Sequence, residues 1–172
     1  MKKYFFITLI VLLAAGNGFI FPQIVQKDMQ AQMVLKIISL DRNISRFGDP
    51  IKIGVSSKSM LRALKRFSKT PVKGKAVQPE LMAALEEVGG YHVVYIDKNW
   101  KSNYKAVCDT ASEKKILMFA ADDDAVERGN ASIAFKTIMG KTKIVLNRAV
   151  VKAQGSDFPA GFLQVTHMVE TL

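Results

Sequence analysis

Ile51-Lys52-Ile53-Gly54-Val55-Ser56-Ser57 alternates apolar and polar residues over a strand's length and then delivers two serines, either of which can cap a following helix. That helix runs to about Ser68, with Met60, Leu61, Leu64 and Phe67 at the spacing of one buried face. A strand that feeds directly into an amphipathic helix is the unit of an α/β fold. Gly48-Asp49-Pro50 separates it from the preceding segment. There Met29, Met33, Ile37 and Leu40, widened by Val34 and Ile38, place a helix from Gln23 to about Asp41.

Downstream the pattern repeats. Val72 to Val77 alternates weakly as a short strand, and Pro79 opens a helix through Val88 that Gly89-Gly90 stops. Tyr91 to Ile96 is a β-favouring run, Asn99 to about Ala111 is helical, and Ile116 to Ala120 is a buried strand. Asp122-Asp123-Asp124 opens a turn or short helix. Ala131 to Lys136 and Lys143 to Asn147 form a hairpin turning at Met139-Gly140-Lys141-Thr142. A final helix follows, capped by Ser156 or Asp157, with Phe162, Val165, Val169 and Leu172 at helical spacing. The order predicts a three-layer α/β sandwich with a mainly parallel sheet and an antiparallel edge hairpin, in one domain over residues 23–172.

The beginning of the chain carries an address. Lys2 and Lys3 precede a mostly apolar run from Tyr4 to Ala15, and Ala14-Ala15-Gly16 supplies small residues for cleavage, so residues 1–18 read as a signal peptide. Phe19-Ile20-Phe21 prolongs the apolar run and leaves an uncleaved anchor as the alternative. An exported protein works without cytosolic ATP or nicotinamide cofactors. The net charge of +10 falls by two when Lys2 and Lys3 leave with the leader. The remaining excess is spread along the chain, densest from Lys58 to Lys75, and no nucleic-acid motif accompanies it. The single cysteine, Cys108, excludes an intramolecular disulfide and reads as a small buried residue of a helix.

The chemistry-bearing patterns are incomplete. Gly140-Lys141-Thr142 lacks the earlier glycine of a phosphate loop, since Phe135 stands in its place. Gly54-Val55-Ser56-Ser57-Lys58 puts a serine between strand and helix but has Lys58 where a nucleophile elbow needs glycine. The two histidines, His92 on a strand and His167 on the last helix, read as structural or exposed. Asp122, Asp123, Asp124 and Glu127 lack the alternation and glycine of a calcium loop. No acid–base pair emerges, so the chain reads as a binding protein and not an enzyme, with no cofactor and no metal. Asp41-Arg42-Asn43 either presents a polar binding edge or simply closes the first helix, Arg42 facing the dipole and Asn43 in a left-handed cap.

The order of pieces also resembles a family. The helix containing Gln30-Ala31-Gln32-Met33-Val34-Leu35-Lys36-Ile37, then Leu40-Asp41-Arg42-Asn43 and the strand Ile51 to Val55, is similar to the start of YfiR-like (YfiR/HmsC-like) periplasmic proteins. Tyr91 to Ile96, Ile116 to Ala120, and Lys143 to Asn147 with the helix through Phe162-Leu163 are similar to its close. The resemblance implies a periplasmic regulator that represses a membrane-bound sensor or diguanylate cyclase, keeping cyclic-di-GMP and biofilm formation low, with a homodimer as an option. The best-known members carry disulfides, whereas here Tyr91 falls near a family cysteine position and Cys108 stands alone. Asp41, Arg42, Asn43, Ser56 and Ser57 are the candidate partner or ligand contacts. The alternative function is a small solute-binding module, with the helix start at Ser56-Ser57 holding an anionic ligand.

Overall fold

The computed structural model describes residues 22–138 and 141–169. Helix α1 (Pro22–Leu40) leads through a 3₁₀ turn at Ile44–Arg46 to strand β1 (Ile51–Val55), helix α2 (Lys58–Phe67) and strand β2 (Val77–Leu81). After a second 3₁₀ turn at Leu85–Gly90 come β3 (Val93–Ile96), α3 (Tyr104–Glu113), β4 (Leu117–Ala120) and α4 (Asp123–Glu127). The chain closes with β5 (Ile133–Ile138), β6 (Lys141–Asn147), α5 (Arg148–Ala153), α6 (Ala160–Leu163) and β7 (His167–Val169).

The seven strands form one sheet in the order β2-β1-β3-β4-β5-β6-β7. All neighbours are parallel except the antiparallel hairpin β5–β6, which lies one strand in from the edge. Side chains alternate between the two faces along a strand, and the two cores follow that rule. Val93, Tyr95, Leu117, Phe119, Ile133 and Phe135 face Val34, Ile38, Met60 and Leu64 of α1 and α2. Val94, Ile96, Met118, Ala120 and Ala134 face Val107, Cys108 and Ala111 of α3 and Val126 of α4. The expected three layers are therefore present, with β3 and β4 buried on both sides.

Two expected helices give way in part to strands. Pro79 stands within β2, level with Ile53 of β1, and does not open a helix. An edge strand tolerates the missing proline N–H, and the free edge of β1 offers a full ladder to Val77–Leu81, which outweighs the helix preference of Leu81 to Leu85. The final helix is cut short, to Ala160–Leu163. Asn147 caps α5 by accepting from the Val150 amide at 3.1 Å. Beyond the four-residue α6, His167 lies on β7, parallel to β6, and Val165 is 70% exposed. The expected caps have other partners: the Ser156 hydroxyl accepts from Arg46 and the Asp157 amide donates to Asp41. The leader, the Met139-Gly140 tip of the hairpin and Leu172 lie outside the described residues. Among the described residues no helix is long and apolar enough to cross a membrane.

Gly54 is where β1 admits its neighbours most closely. A Cβ there would stand 2.6 Å from the Met82 sulfur and 2.7 Å from the Tyr91 ring. Gly54→Ala is expected to destabilise the fold by about 1–3 kcal/mol through overpacking, measured as a lower urea midpoint at unchanged slope. An unchanged midpoint would contradict this packing.

Candidate functional site

In the sheet order the chain passes from β1 to β2 on one side and to β3 on the other, so the crevice at the carboxyl ends of β1 and β3 is the topological switch point where such sheets hold ligands. Ser56 follows β1 directly and Asp97 follows β3. The Asp97 amide donates to the Ser56 hydroxyl at 2.7 Å, and Asn99 donates to the Ser56 carbonyl at 3.1 Å. Ser57 is the N-cap of α2, accepting from the Met60 amide at 3.4 Å, and its own hydroxyl donates to Asp97 at 2.8 Å. The anion that this helix start meets is the protein's own carboxylate.

Helix α1 supplies the countercharge. The Lys27 ammonium lies 2.7 Å from Asp97 and 5.3 Å from the centre of the Tyr95 ring. The Tyr95 hydroxyl donates to Gln30 at 2.8 Å in the buried layer beneath. Burial alone would raise the Asp97 carboxyl, but the hydrogen bond and charge of Lys27, with the Ser57 hydroxyl and the Lys98 amide, hold it below the usual carboxylate range. Burial, then the nearby Asp97, pushes the Tyr95 phenol up, so it stays a donor.

Beside this network opens a cavity of about 860 Å³ at the carboxyl ends of β3, β4 and β5, walled by α1 and α2. Its charged lining is largely paired: Arg66 with Asp28, and Lys136 with Asp123 at 2.7 Å. The carboxylates of Asp122, Asp123 and Asp124 lie within 4.8 Å of one another. Each also faces a basic side chain, Lys101, Lys136 and Arg128 respectively.

The other expected contacts sit at the far end of α1. Asp41 is fully buried and accepts from the Asn43 amide at 2.9 Å and the Asp157 amide at 3.1 Å, with Arg46 3.4 Å away. Arg46 in turn donates to the Gly155 carbonyl. Exposed Arg42 pairs with Asp157 at 3.3 Å, and the Asn43 side chain donates to the Gly155 carbonyl at 3.0 Å. Asn43 has φ −93°, so it does not take the left-handed cap. Its side chain is held instead by the 155–157 loop, a partner distant in sequence. The fold thus keeps Asp41, Arg42 and Asn43 apart from Ser56 and Ser57, one group at each end of α1.

His92 joins the loop before β1 to β3. The Lys52 amide donates to its Nδ1 at 3.0 Å, and burial, then Lys52 and Lys75, lowers its pKa. Cys108 is buried and burial pushes its thiol up. Lys27, Gln30, Tyr95 and Asp97 were not singled out from sequence. A carboxylate directly after a fully apolar strand was the available signal for Asp97.

The model of the YfiR/HmsC-like family matches residues 27–167, from the lysine of this network to β7. The chain belongs to the YfiR/HmsC-like family. That family is one of periplasmic regulators in cyclic-di-GMP signalling. No curated protein matches the chain in sequence. Among solved structures, a conserved domain protein from Vibrio cholerae is similar at 16% identity and TM-score 0.58, covering 81% of this chain and 59% of that one. The ABC domain in complex with L-Trp from Streptococcus pneumoniae is similar at 15% identity and TM-score 0.58, covering 81% and 60%. A ligand-free, open substrate binding protein with adhesive properties from Clostridium difficile is similar at 21% identity and TM-score 0.53, covering 83% and 59%. The chain thus spans about three fifths of these structures' length, and at such identities the likeness is one of α/β fold.

Asp41→Ala is expected to cost about 3–5 kcal/mol, because it leaves Arg46 and two amides without their carboxylate, whereas Arg42→Ala should cost less than about 1 kcal/mol as an exposed pair. Urea titration of both variants checks this, and equal losses would contradict it.

Proposed function

We propose that this YfiR/HmsC-like protein is exported through the leader at residues 1–18 and restrains a membrane-bound diguanylate cyclase, or a sensor governing one, by contact with its periplasmic portion. The observation that carries the reading is the family match over residues 27–167. The site chemistry is compatible with it. Ser56, Ser57 and Asp97 satisfy one another, and no residue among them is paired as an acid and base for turnover. A protein of this kind acts through its surface. Of the five residues expected to make contacts, Arg42 and Asn43 are exposed, Ser57 is half-buried, and Asp41 and Ser56 are buried. Arg42 and Asn43 are accordingly the side chains proposed to meet the partner directly, and a homodimer is proposed as the form that presents them.

Deleting the gene is expected to raise cyclic-di-GMP and biofilm in the host, and affinity capture of the tagged protein should recover a membrane protein with a periplasmic sensor region. Unchanged nucleotide levels together with capture of no such protein would contradict the proposal.

A further inference from the structure

Five cations and three carboxylates line the cavity beside the switch point: Lys27, Arg62, Arg66, Lys98 and Lys136 against Asp28, Asp97 and Asp123. Three of the cations pair one to one with the three acids. Arg62 and Lys98 remain, and among the described residues neither makes a close ion pair; Lys98 acts only at longer range on Asp122, which already pairs with Lys101 at 2.7 Å. Arg62 donates only a long 3.4 Å bond to the Lys58 carbonyl one turn earlier on α2. The cavity therefore carries an unbalanced positive charge on two walls, one from α2 and one from the 3₁₀ helix Lys98–Asn103 that follows β3.

Its dimensions suit a small molecule. About 860 Å³ falls within the ordinary range for ligand clefts. Ala63 and Ala121 keep the lining short, and Phe135, stacked on Phe119 at 6.2 Å, gives it an apolar surface. The walls are held before any ligand arrives, since Lys27 is fixed on Asp97 and Arg66 on Asp28. Preorganised walls reduce what ordering costs on binding.

We infer that this cavity binds a small organic molecule through an oxyanion group, carboxylate or phosphate, held by the Arg62 guanidinium and the Lys98 ammonium, with the ligand's body against Ala63, Ala121 and Phe135. The helix start at Ser56 and Ser57 is not the anion site, because Asp97 already takes the Ser57 hydroxyl. A planar guanidinium matches either oxyanion with two parallel hydrogen bonds, and a second cation favours a ligand with more than one negative oxygen. This site is independent of the regulatory reading above, since it concerns the isolated protein and no partner.

The test is thermal denaturation of the purified protein with inorganic phosphate and, separately, with succinate, at constant ionic strength set with sodium chloride. A saturable rise in Tm with one of the two is expected, and which one identifies the oxyanion. Arg62→Gln and Lys98→Gln should each weaken the apparent affinity roughly tenfold or more, while Lys36→Gln, exposed on α1 outside the cavity, should leave it unchanged. All three side chains are exposed, so the variants keep the fold. No saturable rise with either anion, or affinities in both cavity variants within about twofold of the parent, would overturn the inference.

Discussion

The ion pair between Lys27 and Asp97 is the constraint on which the site depends. Helix α1 comes first in the described chain and crosses a sheet whose strands have yet to be made, so apolar contact alone leaves its axial position loosely defined. Val34, Ile37 and Ile38 are buried against the sheet by contact that is non-directional. Two polar clasps remove that freedom: Lys27 on Asp97 at the carboxyl ends of the strands, and Asp41 with the 155–157 loop at the other end. Such pairs gain little net energy once desolvation is counted, but a misplaced helix would leave their charges buried and unpaired. Their contribution is to position.

The same pair shapes the chemistry of the crevice. The Asp97 carboxylate reaches back to the α2 cap through Ser57 and forward through the Lys98 amide, and its backbone amide donates to Ser56 at the end of β1, so one residue joins α1, β1, α2 and β3. That closure fills the position where a sheet of this order commonly receives a ligand and moves the accessible charge sideways, into the cavity lined by Arg62, Lys98 and Phe135. The switch point of this α/β sheet is thus closed from within, by the protein's own side chains.

Much of this was legible because it is periodic. The β1–α2 unit, the helical stripe of α1 and the apolar strands β3 and β4 each declare themselves over a few residues, and of the two serines expected to cap α2 it is Ser57 that does so. The two misread helices share a cause. Pro79 and Val165 sit where local preference favours helix, but an open sheet edge on either side recruited them or their neighbours into strands, and edge demand is invisible in a single segment. Asp97 and Lys27 stand 70 positions apart. No local pattern announces such a pair, whereas Asp41 attracted notice only because it ended a helix.

The most direct measurement is a double-mutant cycle on the clasp, comparing unfolding free energies of the parent, Lys27→Met, Asp97→Asn and the combined variant. A coupling energy of about 1–3 kcal/mol is predicted for a half-buried, charge-assisted pair. Losses that add to within about 0.3 kcal/mol would show that the two groups do not act on each other, and the proposed anchoring of α1 over the switch point would be wrong.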